Sequence, residues 1–139
     1  MAIFLNNKVG FKVATVDLSD HVTAFSLARQ ADQIEVSAMG DTAHRFVTGL
    51  SADTITVSFL NDTAVGSVLA TLQDAYGSTV AFSALQDKGS AVSATNKLYT
   101  GTILVDNLTD INGAVADEAT IDITFTCNSK TSVASTGTF

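Results

Sequence analysis

The feature that most constrains this chain is strict alternation. In Thr54-Ile55-Thr56-Val57-Ser58-Phe59, and again in Ile121-Asp122-Ile123-Thr124-Phe125-Thr126, every second residue is large and apolar and the others are small or polar. Successive side chains of a strand point to opposite faces, so each run offers one face to a core and one to water. The same period runs through Val9, Phe11 and Val13 against Lys8 and Lys12, and through Thr23, Phe25 and Leu27 against Ala24, Ser26 and Ala28. Ile34 with Val36, the short run 44–47 around Phe46, Val80 with Phe82, and residues 99–105 add further candidates. The count predicts about seven or eight short strands.

One segment breaks the pattern. Val65, Val68, Leu69 and Leu72 fall on one stripe at helical spacing, Asn61, Asp62 and Thr63 supply N-cap chemistry, and Gly77 stands where a helix would stop. A single helix is expected over about 62–76, packed on the sheet. Turn chemistry separates the strands at Gly40-Asp41, Gly49, Gly77-Ser78, Asp87-Lys88-Gly89-Ser90 and Asn112-Gly113, and 87–96 reads as an exposed loop. Residues 129–139 hold no period. The fold expected is mainly β, a β-sandwich or partly open barrel with one flanking helix. Its organisation would be a single domain over 1–128 with an N-terminal arm, followed by a C-terminal arm over 129–139.

Composition then removes whole classes of function. The 139 residues are 46% apolar and only 15% charged, with a net charge of −7 and no proline. A soluble domain carries about a quarter charged residues, so this one is short of the charge its surface would normally need. The apolar content excludes intrinsic disorder. The single Cys127 excludes a disulfide framework within the chain. No uncharged stretch approaches the ~20 residues of a membrane span, and the start MAIFLNNKVG lacks a signal-peptide layout. An acidic surface disfavours binding to nucleic acid, because phosphates are repelled.

Reactive constellations are equally scarce. His21 and His44 are the only histidines. Asp20 beside His21 could imitate the orienting half of a catalytic triad, but neighbours on a strand point apart, and no G-x-S-x-G elbow presents a serine. The run Asp106-Asn107-Leu108-Thr109-Asp110-Ile111-Asn112-Gly113 resembles a calcium loop only in its middle: aligned on Gly113, Leu108 stands where the first Asp belongs and Ala119 where the closing Glu belongs. Cys127 has no basic neighbour in sequence to lower its pKa. No catalytic, cofactor-binding or metal-ligating residue is expected, and no enzymatic activity.

The remaining informative feature is surface character. Strands rich in Thr, Ser and Ala, with no proline and few lysines to blunt their edges, either aggregate or are used in a defined assembly. The order VDLSDHVTAFSLARQADQIEVSAMGDTAHRFVTGLSADTITVSFLNDTAVGSVLATLQDAYG has an opening strand, a DLSDHV turn, a long hairpin, the strand TITVSFL and a single helix. The closing stretch YTGTILVDNLTDINGAVADEATIDITFTCNS reads as a final hairpin with a GAVAD turn. Together these resemble the small tail tube proteins of long-tailed bacteriophages, over roughly residues 2–129.

The resemblance implies a virion structural protein, assembled in the host cytoplasm, whose copies form stacked hexameric rings around a channel that passes DNA. The hairpin near 39–49 would contact the adjacent ring, and an acidic lumen would keep phosphates from sticking. Asp122 is a candidate lumen residue, and an exterior position is the alternative for it. The partners expected are copies of the chain and other virion proteins. The alternative function is a capsid-surface decoration or minor capsid protein on a similar β fold.

Overall fold

A computed structural model describes residues 8–139. The part of the expected N-terminal arm that precedes Lys8 lies outside the described residues. In chain order the elements are β1 (Gly10–Val13), β2 (Val16–Asp17), a 3-10 turn (Ser19–His21), β3 (Val22–Ala28), β4 (Ala31–Glu35), β5 (Phe46–Ser51), β6 (Thr54–Leu60), α1 (Val68–Ala75), β7 (Thr79–Leu85), β8 (Leu98–Leu104), β9 (Thr120–Cys127) and β10 (Ser132–Ala134). The described residues form ten strands against the expected seven or eight, the excess being two short ones, β2 and β10, of two and three residues. Such lengths show no period. Among the described residues no helix is long and apolar enough to cross a membrane.

All the strand pairings are antiparallel. The main sheet runs β2-β1-β7-β8-β9-β6-β3, with β10 also on β8, while β4 and β5 pair only with each other. The main sheet curls back on itself. Phe11 of β1 and Phe25 of β3 stand far apart in the strand order, yet their ring centroids are 5.0 Å apart, and Phe59 of β6 stacks 6.2 Å from Phe11. Among the described residues backbone hydrogen bonds do not complete the circuit: there β3 pairs with β6 alone. The roll closes on aromatic side chains, so of the β-sandwich or partly open barrel expected the described residues form a mainly β fold with one curled antiparallel sheet, one helix and no closed barrel.

The core follows the alternation directly. Ile55, Val57 and Phe59 of β6 and Ile121, Ile123 and Phe125 of β9 are buried, and β6 and β9 pair in register from Thr54↔Thr126 to Leu60↔Thr120. Phe82 and Ala84 of β7, Ile103 of β8 and Val105 just past it complete the interior with Phe11, Val13 and Leu18. The sheet bends where β8 meets β9, which share only the pairs Ile103↔Cys127 and Leu104↔Thr126. There Asn128 donates its amide to the Thr102 carbonyl at 2.9 Å, and Ser129 Oγ accepts the Thr102 amide at 3.0 Å. Gly101 makes this approach possible: a Cβ would stand 3.0 Å from the Phe82 ring and 3.2 Å from Ser129 Oγ.

The helix is shorter than the expected 62–76. Gly66 adopts φ +77°, a left-handed conformation that no helix interior sustains, so regular turns begin only at Val68. Asp62 caps the preceding turn instead, accepting the Ala64 amide on Oδ1 at 2.9 Å. Val68, Leu72 and Ala75 are buried against the sheet as the stripe implies, whereas Val65 is fully exposed. Gly77, at φ +82°, ends the segment and donates to the Val105 carbonyl at 2.7 Å.

Residues 129–139 touch the sheet at two places. β10 pairs with β8, and Lys12 Nζ lies 4.5 Å from the Phe139 ring centroid. The anchor is Asp53, 3% exposed, whose carboxylate accepts the amides of Gln30 at 3.1 Å and Thr131 at 2.9 Å. Burial alone would raise its pKa. The hydrogen bonds from Thr131 and Gln30 and the charge of Arg29 outweigh burial and hold the carboxyl below its ordinary 3.8.

Two predictions arise. Phe11→Ala removes the ring that joins the two reaches of the sheet and is expected to cost about 3–5 kcal/mol, against less than about 0.5 kcal/mol for Val65→Ser, both read from urea unfolding. Asp53→Ala leaves the buried Thr131 amide and the part-buried Gln30 amide without their acceptor and is expected to cost about 1–3 kcal/mol at neutral pH. Because the folded pKa is depressed, the stabilisation is complete above pH 3.8 and is lost as pH falls through the folded value. The variant should therefore show a shallower loss of stability on acidification than the parent chain.

Candidate assembly surfaces

Three surfaces are built in ways that a free monomer does not require. The first is the β4–β5 hairpin. Ala31↔Ser51, Gln33↔Thr48, Ile34↔Val47 and Glu35↔Phe46 set its register. Its end is a tight turn over residues 38–41, closed by the Asp41 amide on the Ala38 carbonyl at 3.1 Å and by Asp41 Oδ2 on the Ala38 amide at 2.8 Å. Gly40 sits at φ +92°, the third-position requirement of a type II turn. Glu35 and His44 pair across the strands at 2.6 Å, stiffening the stem. Ile34, Val36, Met39, Phe46, Val47 and Leu50 are nonetheless exposed, Met39 completely and Leu50 at 81%. Six large apolar side chains are thus exposed on one hairpin, with Ile34 and Val47 on one face and Phe46 on the other, more than a free monomer needs to show water.

The second surface is the outer face and free edge of the β3-β6-β9 half of the sheet. Opposite the core, Ser26, Thr56 and Thr124 line up across the three strands, with Ser58 beside Asp122 and Thr54 beside Thr126. Thr56 and Thr124 hydroxyls meet at 3.5 Å. None of the three strands contains a lysine or arginine. Asp122 thus stands exposed as the one charge on a face paved with hydroxyls. At its margin β3 presents seven residues whose outer edge has no strand partner among the described residues. Neither proline nor charge protects that edge.

The third surface is the helix end. Segments 61–78 and 105–120 are tied together: the Asn61 amide donates to the Ala119 carbonyl at 2.9 Å, and Gln73 Nε2 donates to Asp110 Oδ1 at 2.9 Å. They carry Asp62, Asp74, Asp106, Asp110, Asp117 and Glu118 without a single lysine or arginine. They also expose Val65, Ile111 and Val115 almost completely.

The residues weighed for chemistry are used structurally. Asp20 and His21 stand on the 3-10 turn rather than on a strand, and they reach different partners: His21 Nε2 pairs with Asp62 at 2.9 Å, and Asp20 lies 3.8 Å from Lys88. The calcium-like loop spends its side chains on tethers, Asn107 Nδ2 on the Thr124 carbonyl at 3.1 Å and Asn112 Nδ2 on the Thr120 carbonyl at 3.0 Å. Burial and the nearby Asp53 charge push the Cys127 thiol above its usual value, the reverse of what a nucleophile needs. Sequence reasoning placed Val65 in the core and passed over Ile111 and Val115. The available signal was three aliphatics inside segments free of cations.

No protein-family model and no curated protein matches this chain. Solved structures do match in fold. A chain in the virion of a native gene transfer agent particle superposes with a TM-score of 0.74 at 11% identity, covering 95% of this chain and 99% of its own. The SPP1 tail tube gives 0.70 at 12% identity, covering 90% of this chain and 76% of its own. The tail of an empty gene transfer agent particle, computed by helical refinement with C6 symmetry, gives 0.64 at 12% identity, covering 96% and 99%. The likeness is one of fold, over nearly the whole chain.

The exposed apolar side chains of the hairpin can be removed without touching the core. Replacing Met39, Phe46 and Leu50 together by Ser should leave the unfolding free energy of the monomer within about 0.5 kcal/mol of the parent. The same variant should lose self-association in light scattering.

Proposed function

We propose that this chain is a virion structural subunit that self-assembles into a tail tube, a stack of rings around a channel through which DNA passes. The observation that carries this reading is the mismatch between the well-packed core and the surface around it. An apolar hairpin and an unguarded seven-residue edge are liabilities on a monomer and assets on a building block. The fold likeness to gene transfer agent and SPP1 tail structures supports the same reading. The C6 symmetry of one of those tails supports six copies per ring.

In this arrangement the free edge of β3 meets a strand of the neighbouring copy, so that backbone amides and carbonyls left unpaired in the monomer find partners. The hairpin reaches the adjacent ring and buries its apolar side chains there. The hydroxyl-paved face of β3, β6 and β9 lines the channel, with Asp122 exposed on it. A wall without lysine or arginine offers phosphates no counter-charge, so DNA slides past rather than binding. The role is non-enzymatic: the work is done by assembly, and the channel wall acts by what it does not hold.

Negative-stain electron microscopy and light scattering of the purified chain test this. Rings or tubes with a central channel are expected. Particles that associate only with preformed capsids would instead identify a decoration protein, and a stable monomer at high concentration would contradict both readings.

A further inference from the structure

The outward side of the sheet is bare on its β3-β6-β9 half but not on its β1-β7-β8 half. Gly10, Leu85, Leu98 and Ala134 stand directly opposite one another on β1, β7, β8 and β10 and form one row across the sheet. The row points away from the core, because Phe11, Ala84 and Ile103 on the same strands have the opposite parity and are core residues. Leu85 and Leu98 are nonetheless only 3% and 8% exposed, and neither belongs to the main core. Gly10 is buried as well. The adjacent row, Lys12, Ser83, Thr100 and Ser132, is polar.

What lies over the row is segment 135–139. Past β10 the chain turns at Gly137, whose φ of +114° suits glycine, and a Cβ there would stand 3.6 Å from Leu98 Cδ2. Three strand spacings, about 14 Å, separate Ala134 from Gly10, and five extended residues reach about 17 Å, so the segment just spans the row. Its last ring rests on Gly10, where a Cβ would stand 2.9 Å from Phe139 Cζ. Gly10 lies inside a strand and its φ is not positive, so the close approach of that ring is the reason a glycine fits there. Asn96, 4% exposed, holds the neighbouring loop as a wall: Nδ2 donates to the Asp87 carbonyl at 2.9 Å and Oδ1 accepts the Asp87 amide at 3.0 Å. Ala91 and Val92 of that loop line one groove with Gly137 and Phe139.

We propose that residues 135–139 are a strap that seals this row within its own chain and so keeps the outer β1-β7-β8 face from associating with other chains. Without the strap the row is a flat apolar strip on a sheet face, the kind of surface that recruits a second chain. With it, the strip is replaced by Ser135, Thr136 and Thr138, whose side chains are polar and exposed. The contact is autoinhibitory: it closes one half of the outward side and leaves the other half bare. It is a property of the single chain and does not depend on the tube reading.

Two readouts test it. In a Cys127→Ala background, Leu98→Cys places a thiol under the strap, and its rate of maleimide labelling reports whether the cover is closed. Deleting 135–139, or Gly10→Val, which fills the seat of the ring, should speed labelling about tenfold or more. With Leu98 and Cys127 in place, the deleted chain should associate at about one-tenth of the concentration the intact chain needs, read by sedimentation velocity. Leu85→Ser with Leu98→Ser in the deleted chain should reverse that gain, because the uncovered row is then polar. Urea unfolding checks that each variant is folded, and Phe139→Ala empties the same seat should Gly10→Val fail to fold. Labelling equally fast with and without 135–139 overturns the strap. Faster labelling with association unchanged or weakened overturns its role as a cover. Neither result bears on whether the parent chain forms rings or tubes, which tests the tube reading separately.

Discussion

The fold depends on how its main sheet closes. Hydrogen bonding carries the sheet from β2 round to β3, but the last step of the circuit is made by Phe11 against Phe25 and Phe59. A barrel closed by backbone pairing has no edges. This one is closed by aromatic rings, so it keeps an interior while retaining a free strand at β3 and a hollow beside it. The same constraint produces a stable monomer core and an unfinished perimeter.

The perimeter explains the composition. Charge is scarce because much of the surface is built of hydroxyls, small residues and bare aliphatics suited to contact with another copy. What charge remains is uneven: segments 61–78 and 105–120, around α1 and the β8–β9 loop, hold six acids and no lysine or arginine. The chain's own ion pairs, Lys88 with Asp17 at 2.8 Å and Glu35 with His44, are local braces on half-exposed or exposed groups. They stiffen individual elements and contribute little to overall stability.

The core was legible in the sequence because alternation is a local signal. Ile55, Val57 and Phe59, and Ile121, Ile123 and Phe125, are buried as their spacing requires. Elements decided by distant partners were not legible. Nothing local in 129–139 reveals that Asp53 receives the Thr131 amide and seats β10 on β8. The helix was overextended because Val65 fits the 3.6-residue stripe, while the left-handed Gly66 that breaks it carries no periodicity of its own. The hairpin near 39–49 follows from the family resemblance, while Gly40-Asp41 and Gly49 on their own mark only turns. The exposed pair Ile111 and Val115 was hidden by a search for metal ligands in the same loop. Only the fold brings their exposure into view.

Amide hydrogen exchange on the free and assembled chain tests the central claim, that this surface is interface, most directly. The account predicts that amides of the β3 edge, the β4–β5 hairpin and the 110–118 loop gain protection on assembly. The β6 and β9 core amides, already paired in the monomer, should change little. Assembled particles in which those three segments exchange as fast as in the free chain would contradict it.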